Sequence, residues 1–145
     1  MPKSESISLS DGQTQYELSG EGPLVVLIHG MTAPMHVWDP TVTALNKAGF
    51  QTLRYDLFGR GESDRPKTTY DLDLLYRQWN ELLGELKRND PFHLIAFSWG
   101  CGLAAHALSP HKESKMRVVA LRGLRAAKQR ATPLLRAAKQ LAIHL

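Results

Sequence analysis

The chain contains a single cysteine, Cys101, so no disulfide can form within it, and a reducing location, the cytoplasm, is expected. It contains no run of about 18 apolar residues, which argues against a transmembrane helix. Its first residues lead into no apolar core, so no secretory signal is expected. No cysteine–histidine group has the spacing of a zinc site, so no metal is expected. No cofactor is expected either.

Acidic residues are almost absent from the last quarter of the chain. Residues 1–109 contain 9 basic and 13 acidic residues, whereas residues 110–145 contain 9 basic residues and one acid, Glu113. We therefore predict a body over residues 1–121 and a basic helical tail over residues 122–145. The favoured interpretation of the tail is a solvated, alanine-rich helix; the alternative is weak contact with an anionic membrane surface. Its lack of aromatic residues disfavours nucleic acid as a partner.

The order of predicted elements indicates an α/β protein with a mostly parallel sheet covered by helices. Apolar residues alternate on both sides of Asp11-Gly12, which predicts an N-terminal β-hairpin with a type I′ turn. Strands and helices then alternate. Strands are predicted over residues 24–28, 50–55, 92–97 and 116–121, and helices over residues 37–47, 71–87 and 101–108.

Ser98 follows an apolar strand and precedes a helix, with Ala96 and Gly100 two positions away on either side. This pattern is typical of a nucleophile elbow, a turn so sharp that only small residues fit around it. The turn raises the serine hydroxyl above the sheet and directs free N–H groups of the helix at the bond under attack. Ala96 stands where the usual pattern has glycine. The alternative interpretation of Ser98 is a simple helix N-cap.

His29-Gly30 ends the strand over residues 24–28, and Gly30 allows a tight turn with close backbone approach. The N–H group of Met31 or Thr32 would then face the mouth of the sheet. In an acyl-transfer enzyme one of these groups and the N–H of Trp99 would form an oxyanion hole. A glycine turn with a locally packed histidine is the alternative.

The loop over residues 56–66 contains the pattern Gly59-x-Gly61-x-Ser63, which resembles both a phosphate cradle and a second elbow. No helix is expected after Gly61, no lysine followed by serine or threonine comes next, and Pro66 ends the segment. We therefore predict a structural loop at the rim of the site.

Three ordered motifs resemble the α/β-hydrolase superfamily, in its branch of esterases, monoacylglycerol lipases and carbon–carbon bond hydrolases. They are Val-Val-Leu-Ile-His-Gly at 25–30, Tyr-Asp-Leu-Phe-Gly-Arg-Gly-Glu-Ser-Asp at 55–64 and Ala-Phe-Ser-Trp-Gly at 96–100. The resemblance covers residues 5–121. It implies a serine hydrolase in which Ser98 is the nucleophile and Met31 and Trp99 supply the oxyanion-hole amides. The substrate would be a small-molecule ester or acyl compound.

The resemblance departs from the family after the elbow. The family order is serine, acid, histidine, with the last two on later strands. Downstream of the elbow the chain has only His106, His111, His144 and Glu113 as candidates, so the acid and histidine of a triad are unassigned. We expect a C-terminally truncated α/β-hydrolase-like chain. The alternative function is a non-catalytic module whose open sheet edge would favour self-association.

The substrate pocket is expected to be apolar, from the positions of large side chains along the motifs. Trp38 and Phe58 are the predicted substrate-binding residues; Met31, Met35 and Trp99 would add to the same apolar surface.

Overall fold

A computed structural model describes residues 3–88, 90–107 and 116–122. The described strands are β1 (Glu5–Leu9), β2 (Gly12–Ser19), β3 (Leu24–Ile28), β4 (Gln51–Tyr55), β5 (Phe92–Phe97) and β6 (Met116–Arg122). The helices are a 3₁₀ turn (Met35–Trp38), α1 (Asp39–Lys47), α2 (Leu72–Glu85) and α3 (Gly100–Ala107). These elements confirm the predicted order of hairpin, strands and helices.

The described strands form one mixed sheet in the order β1-β2-β4-β3-β5-β6. β2 pairs antiparallel with β1 and β4, whereas β4, β3, β5 and β6 are parallel neighbours. From β3 the chain passes through α1 to β4 on one side, and then crosses through α2 to β5 on the other. Ligands bind in such sheets outside the carboxyl ends of the strands where the order reverses. In this sheet the order reverses between β3 and β5, so a ligand site is expected at the carboxyl ends of these two strands.

The helices cover the two faces of the sheet and divide the core in two. Because successive strand residues face opposite sides, Val26 and Ile28 pack with α2 and α3, whereas Val25 and Leu27 pack with α1. The continuous apolar run of β3 is explained by this burial on both faces.

α2 is the longest described helix, with 14 residues. It begins after Asp71, whose side chain accepts a 2.8 Å hydrogen bond from the N–H of Leu74 and so caps the helix. Within the described residues, no helix has the length and hydrophobicity that a membrane span requires.

The prediction of a type I′ turn in the N-terminal hairpin is wrong. Leu9 pairs with Gly12, so Ser10 and Asp11 form the loop, and neither has the positive φ that a type I′ turn needs. Tertiary contacts with α2 account for the different turn. Ser10 donates through its N–H and hydroxyl to Glu81 on α2, and Arg77 of α2 pairs with Asp11. The contacts to α2 fix the loop.

The predicted basic tail lies outside the described residues, apart from Arg122, which ends β6. The boundary between residues 121 and 122 therefore stays a prediction.

Candidate active site

Ser98 lies in the two-residue turn between β5 and α3 and has a left-handed backbone, with φ of +51°. A non-glycine residue in this region costs roughly 1–2 kcal/mol and persists only where the surroundings enforce it. The carbonyls of Ser98 and Trp99 accept the N–H groups of Cys101 (3.0 Å) and Gly102 (2.9 Å), which continues the turn into α3. The exposed Ser98 side chain stands at the end of β5, as an elbow requires.

Gly100 explains why the turn needs a small residue on its helix side. A Cβ placed on Gly100 would lie 2.7 Å from the carbonyl oxygen of His29 and 2.8 Å from that of Ile28. On the strand side, Ala96 is 1% exposed and its methyl group packs in the core, so the departure from glycine at this position is accommodated.

The ends of β3 and β5 bring Gly30 against Ser98. Ile28 pairs with Ala96, and a Cβ placed on Gly30 would lie 3.1 Å from Cβ of Ser98. Neither the N–H of Met31 nor that of Trp99 donates a hydrogen bond to another described residue. Two unused donors therefore belong to the segments that meet at Ser98. The oxyanion-hole role of Met31 and Trp99 stays a prediction.

His29 is fully buried and holds two loops together. Its Nε2 accepts the N–H of Leu57 at 2.9 Å, so its proton is on Nδ1, which lies 2.6 Å from the carbonyl oxygen of Gly30. Burial lowers the pKa of His29 from 6.5, and the positive charge of Arg60 acts in the same direction, while the Gly30 carbonyl and Asp56 oppose the shift. Because both ring nitrogens are engaged, His29 is not a base for Ser98 in this arrangement.

Asp56 and Arg60 organise the loop that follows β4. The buried Asp56 carboxylate accepts the N–H of Met35 at 2.7 Å and that of Glu62 at 2.9 Å. Arg60 donates through Nε to the carbonyl of Met31 and through Nη1 to that of Gly59. This loop therefore supports the segment after β3. Sequence reasoning missed both side chains, although an acid directly after β4, beside the end of β3, was a usable signal.

The predicted substrate-binding residues are core residues in this structure. Trp38 is 6% exposed and packs on the α1 side, while Phe58 is 1% exposed and packs on the opposite side. Their role in binding substrate stays a prediction. Among the described residues, the large apolar side chains that are exposed belong to Met31, Tyr70 and Phe97, of which Met31 and Phe97 lie within two residues of Gly30 and Ser98.

No described residue forms a hydrogen bond with the Ser98 hydroxyl. The described histidines are engaged elsewhere: His36 pairs with Asp39, His93 packs edge-on against Phe50, and His106 lies 3.0 Å from Asp73. The remaining candidates for a triad, His111, His144 and Glu113, lie outside the described residues. In residues 3–88, 90–107 and 116–122, no three acidic, histidine or cysteine side chains group as a metal site.

The comparisons with known proteins agree with this architecture. The sequence profile of the alpha/beta hydrolase fold matches residues 23–140. A putative non-heme chloroperoxidase of Synechocystis sp. is 30% identical over 106 residues, which cover 73% of this chain and 38% of that protein. An esterase (EaEST) from Exiguobacterium antarcticum superposes with a TM-score of 0.76 at 30% identity, over 86% of this chain and 47% of that one.

A bromoperoxidase from Bacillus anthracis superposes with a TM-score of 0.75 at 29% identity, over 82% of this chain and 44% of that one. The chain thus spans less than half the length of these proteins. The profile match and the shared fold show that the chain belongs to the α/β-hydrolase fold family.

Proposed function

We propose that this chain carries the nucleophile and the oxyanion hole of a serine hydrolase that cleaves a carboxylic ester or a related acyl bond. The observation that carries the proposal is the left-handed backbone of Ser98, φ +51°, in an exposed serine whose Cβ lies beside Gly30. A strained, exposed serine at the end of a central strand is the geometry of a nucleophile elbow. The similarity in fold to the Exiguobacterium antarcticum esterase supports this class of reaction.

In the proposed reaction, Oγ of Ser98 attacks the carbonyl carbon of the ester while its proton passes to a base. The negative oxygen of the tetrahedral intermediate accepts hydrogen bonds from the N–H groups of Met31 and Trp99. The intermediate collapses, the alcohol leaves with the proton from the base, and an acyl-Ser98 ester remains. Water, deprotonated by the same base, then attacks the acyl carbon; the bond to Oγ of Ser98 breaks, the base returns the proton to Oγ, and the carboxylic acid is released. The base belongs among the residues outside the described segments or on a second chain.

One observation favours the alternative, a non-catalytic α/β-hydrolase-like module. Within the described residues, no imidazole or carboxylate forms a hydrogen bond with the Ser98 hydroxyl. A serine without a neighbouring base is a weak nucleophile at neutral pH. The alternative also includes self-association through the sheet, which light scattering of the purified chain would detect.

Labelling with a fluorophosphonate probe distinguishes the two functions. The wild-type chain, Ser98→Ala and the matched control Ser8→Ala, an exposed serine on β1, are treated with the probe, and the modified residue is located by mass spectrometry. Labelling of Ser98 in the wild type and the control, together with hydrolysis of a p-nitrophenyl ester that Ser98→Ala loses, supports the serine hydrolase. A wild-type chain that melts cooperatively but remains unlabelled supports the non-catalytic module.

The basic tail is proposed to be a solvated helix, with weak binding to anionic membranes as its alternative. Co-sedimentation with vesicles of phosphatidylserine and phosphatidylcholine at low and high salt separates them, since surface attraction is screened by salt.

A further inference from the structure

The peptide unit that joins Gly30 to Met31 has its carbonyl held by a buried side chain. Nδ1 of His29 lies 2.6 Å from the Gly30 carbonyl oxygen, and His29 is 0% exposed. None of the described peptide bonds is cis. In a trans peptide the C=O and N–H groups point in opposite directions. The direction of the Gly30 carbonyl therefore fixes the direction of the Met31 N–H.

The state of the imidazole that holds this carbonyl is itself fixed by the fold. The N–H of Leu57 reaches Nε2 of His29 at 2.9 Å, and a backbone N–H can only donate. Nε2 must therefore be unprotonated, which leaves the proton on Nδ1, facing Gly30. Leu57 follows Asp56 in the loop after β4, so the loop beside β3 selects the tautomer.

Hydrogen bonding at the carbonyl also affects the N–H of the same peptide unit. Hydrogen bonds in a chain polarise one another, so a donor on the Gly30 oxygen makes the Met31 N–H a stronger donor. The N–H of Met31 has no acceptor among the described residues, and Gly30 lies against Ser98. The chain of contacts thus runs from Leu57 through His29 and Gly30 to an unused donor beside the serine.

We infer that His29 is a positioning residue for the oxyanion hole: its Nδ1–H holds the Gly30 carbonyl and thereby aims and strengthens the Met31 amide. This role rests on the proposed function, since it acts on the donor that the tetrahedral intermediate would use. His29 does not touch the reacting atoms and transfers no proton.

Two isosteric substitutions separate this role from simple support of the fold. The amide nitrogen of His29→Asn occupies the place of Nδ1 and keeps a donor for Gly30, whereas the amide of His29→Gln reaches the place of Nε2 and keeps an acceptor for Leu57. The rate of fluorophosphonate labelling at Ser98 is measured for both, with His36→Asn, a surface histidine, as the matched control. We expect His29→Gln to label about 100-fold more slowly than the wild type and His29→Asn to recover much of the rate.

Equal labelling of the two His29 variants, or faster labelling of His29→Gln, would overturn the inference. A second measurement needs neither activity nor variants: two-dimensional ¹H–¹⁵N spectra of the wild-type side chains identify the His29 tautomer. The Nδ1–H tautomer is expected, and an Nε2–H tautomer would refute the assignment. If the wild type were unlabelled but carried the Nδ1–H tautomer, the proposed function would fail while the hydrogen-bonded arrangement of His29 stood.

Discussion

Gly100 lies so close to Ile28 that a Cβ on Gly100 would stand 2.8 Å from the Ile28 carbonyl oxygen and 2.9 Å from its Cγ2. The first turn of α3 thus packs directly on the backbone of β3, and this contact places Ser98 beside Gly30. A methyl group at Gly100 would push against backbone atoms of the central strand, which cannot rotate away.

We expect Gly100→Ala to lower the free energy of unfolding by about 1–3 kcal/mol, the usual cost of overpacking. Urea denaturation followed by tryptophan fluorescence measures the change. Gly84 provides the control, since it lies in α2 with open space around its α-carbon. Gly84→Ala should stabilise the chain by about 0.5–1 kcal/mol. A Gly100→Ala variant as stable as the wild type would show that the helix can move away from β3.

The strained backbone of Ser98 leads to a second prediction. Glycine adopts a φ of +51° without steric cost. The free energy of unfolding of Ser98→Gly should therefore be about 0.5–1 kcal/mol higher than that of Ser98→Ala, which removes the hydroxyl but keeps the Cβ. Thermal and urea melts of the two variants give the difference. Lys87, with φ of +54° after α2, is the control, because Lys87→Gly should be stabilising without any effect on labelling. A less stable Ser98→Gly would mean that the turn holds no strain.

Much of the fold could be predicted because its signals are local. The apolar run of β3, the helical period of α2 and the small residues around Ser98 each lie within a short window, and the alternation of strands and helices predicts a mostly parallel sheet. The hairpin turn was mispredicted because Glu81 and Arg77 hold it from 66 or more residues away. Local propensity contains no information about such contacts.

The site was predictable only in part for the same reason. Ser98 and Gly30 carry sequence patterns of their own, whereas the supporting role of Asp56 depends on how two loops meet. Phe58 was assigned to the pocket by its position after β4, but its side chain turns into the core, 1% exposed. Sequence position places a residue on a loop without fixing the direction of its side chain.

The Asp56 carboxylate yields a third prediction, because both of its oxygens accept backbone N–H groups, from Met35 and Glu62. In Asp56→Asn an NH₂ group would face one of these donors, so we expect a loss of about 1–3 kcal/mol in unfolding free energy. Asp73→Asn is the control: Asp73 is exposed and pairs with His106 at the surface, so the loss of this pair should cost under about 1 kcal/mol. Equal losses of unfolding free energy in the two variants would contradict the role of Asp56 in joining the loops.

His29 makes stability depend on pH. Burial lowers its pKa in the folded chain below the 6.5 expected when unfolded, and Arg60 adds to the shift while the Gly30 carbonyl and Asp56 oppose it. Between the folded pKa and about pH 6.5, the unfolded chain therefore binds more protons than the folded chain. The contribution of the neutral, buried His29 to the free energy of unfolding is fully present above about pH 6.5 and is lost as the pH falls through the folded pKa. The slope should not exceed about 1.4 kcal/mol per pH unit for one group.

Urea denaturation between pH 5 and 8 tests this dependence against His29→Asn, which has no titrating group at the position. The difference in unfolding free energy between the two chains should be constant above about pH 6.5. Below that pH, the wild type should lose stability relative to the variant. The direction follows from the contacts, since a protonated imidazole would place an N–H of Nε2 against the N–H of Leu57. Ser98 labelling of the wild type should respond to His29 only below the lowered pKa of the folded chain, because the folded imidazole stays neutral above it. A difference that stays level down to pH 5 would contradict the burial of a neutral His29.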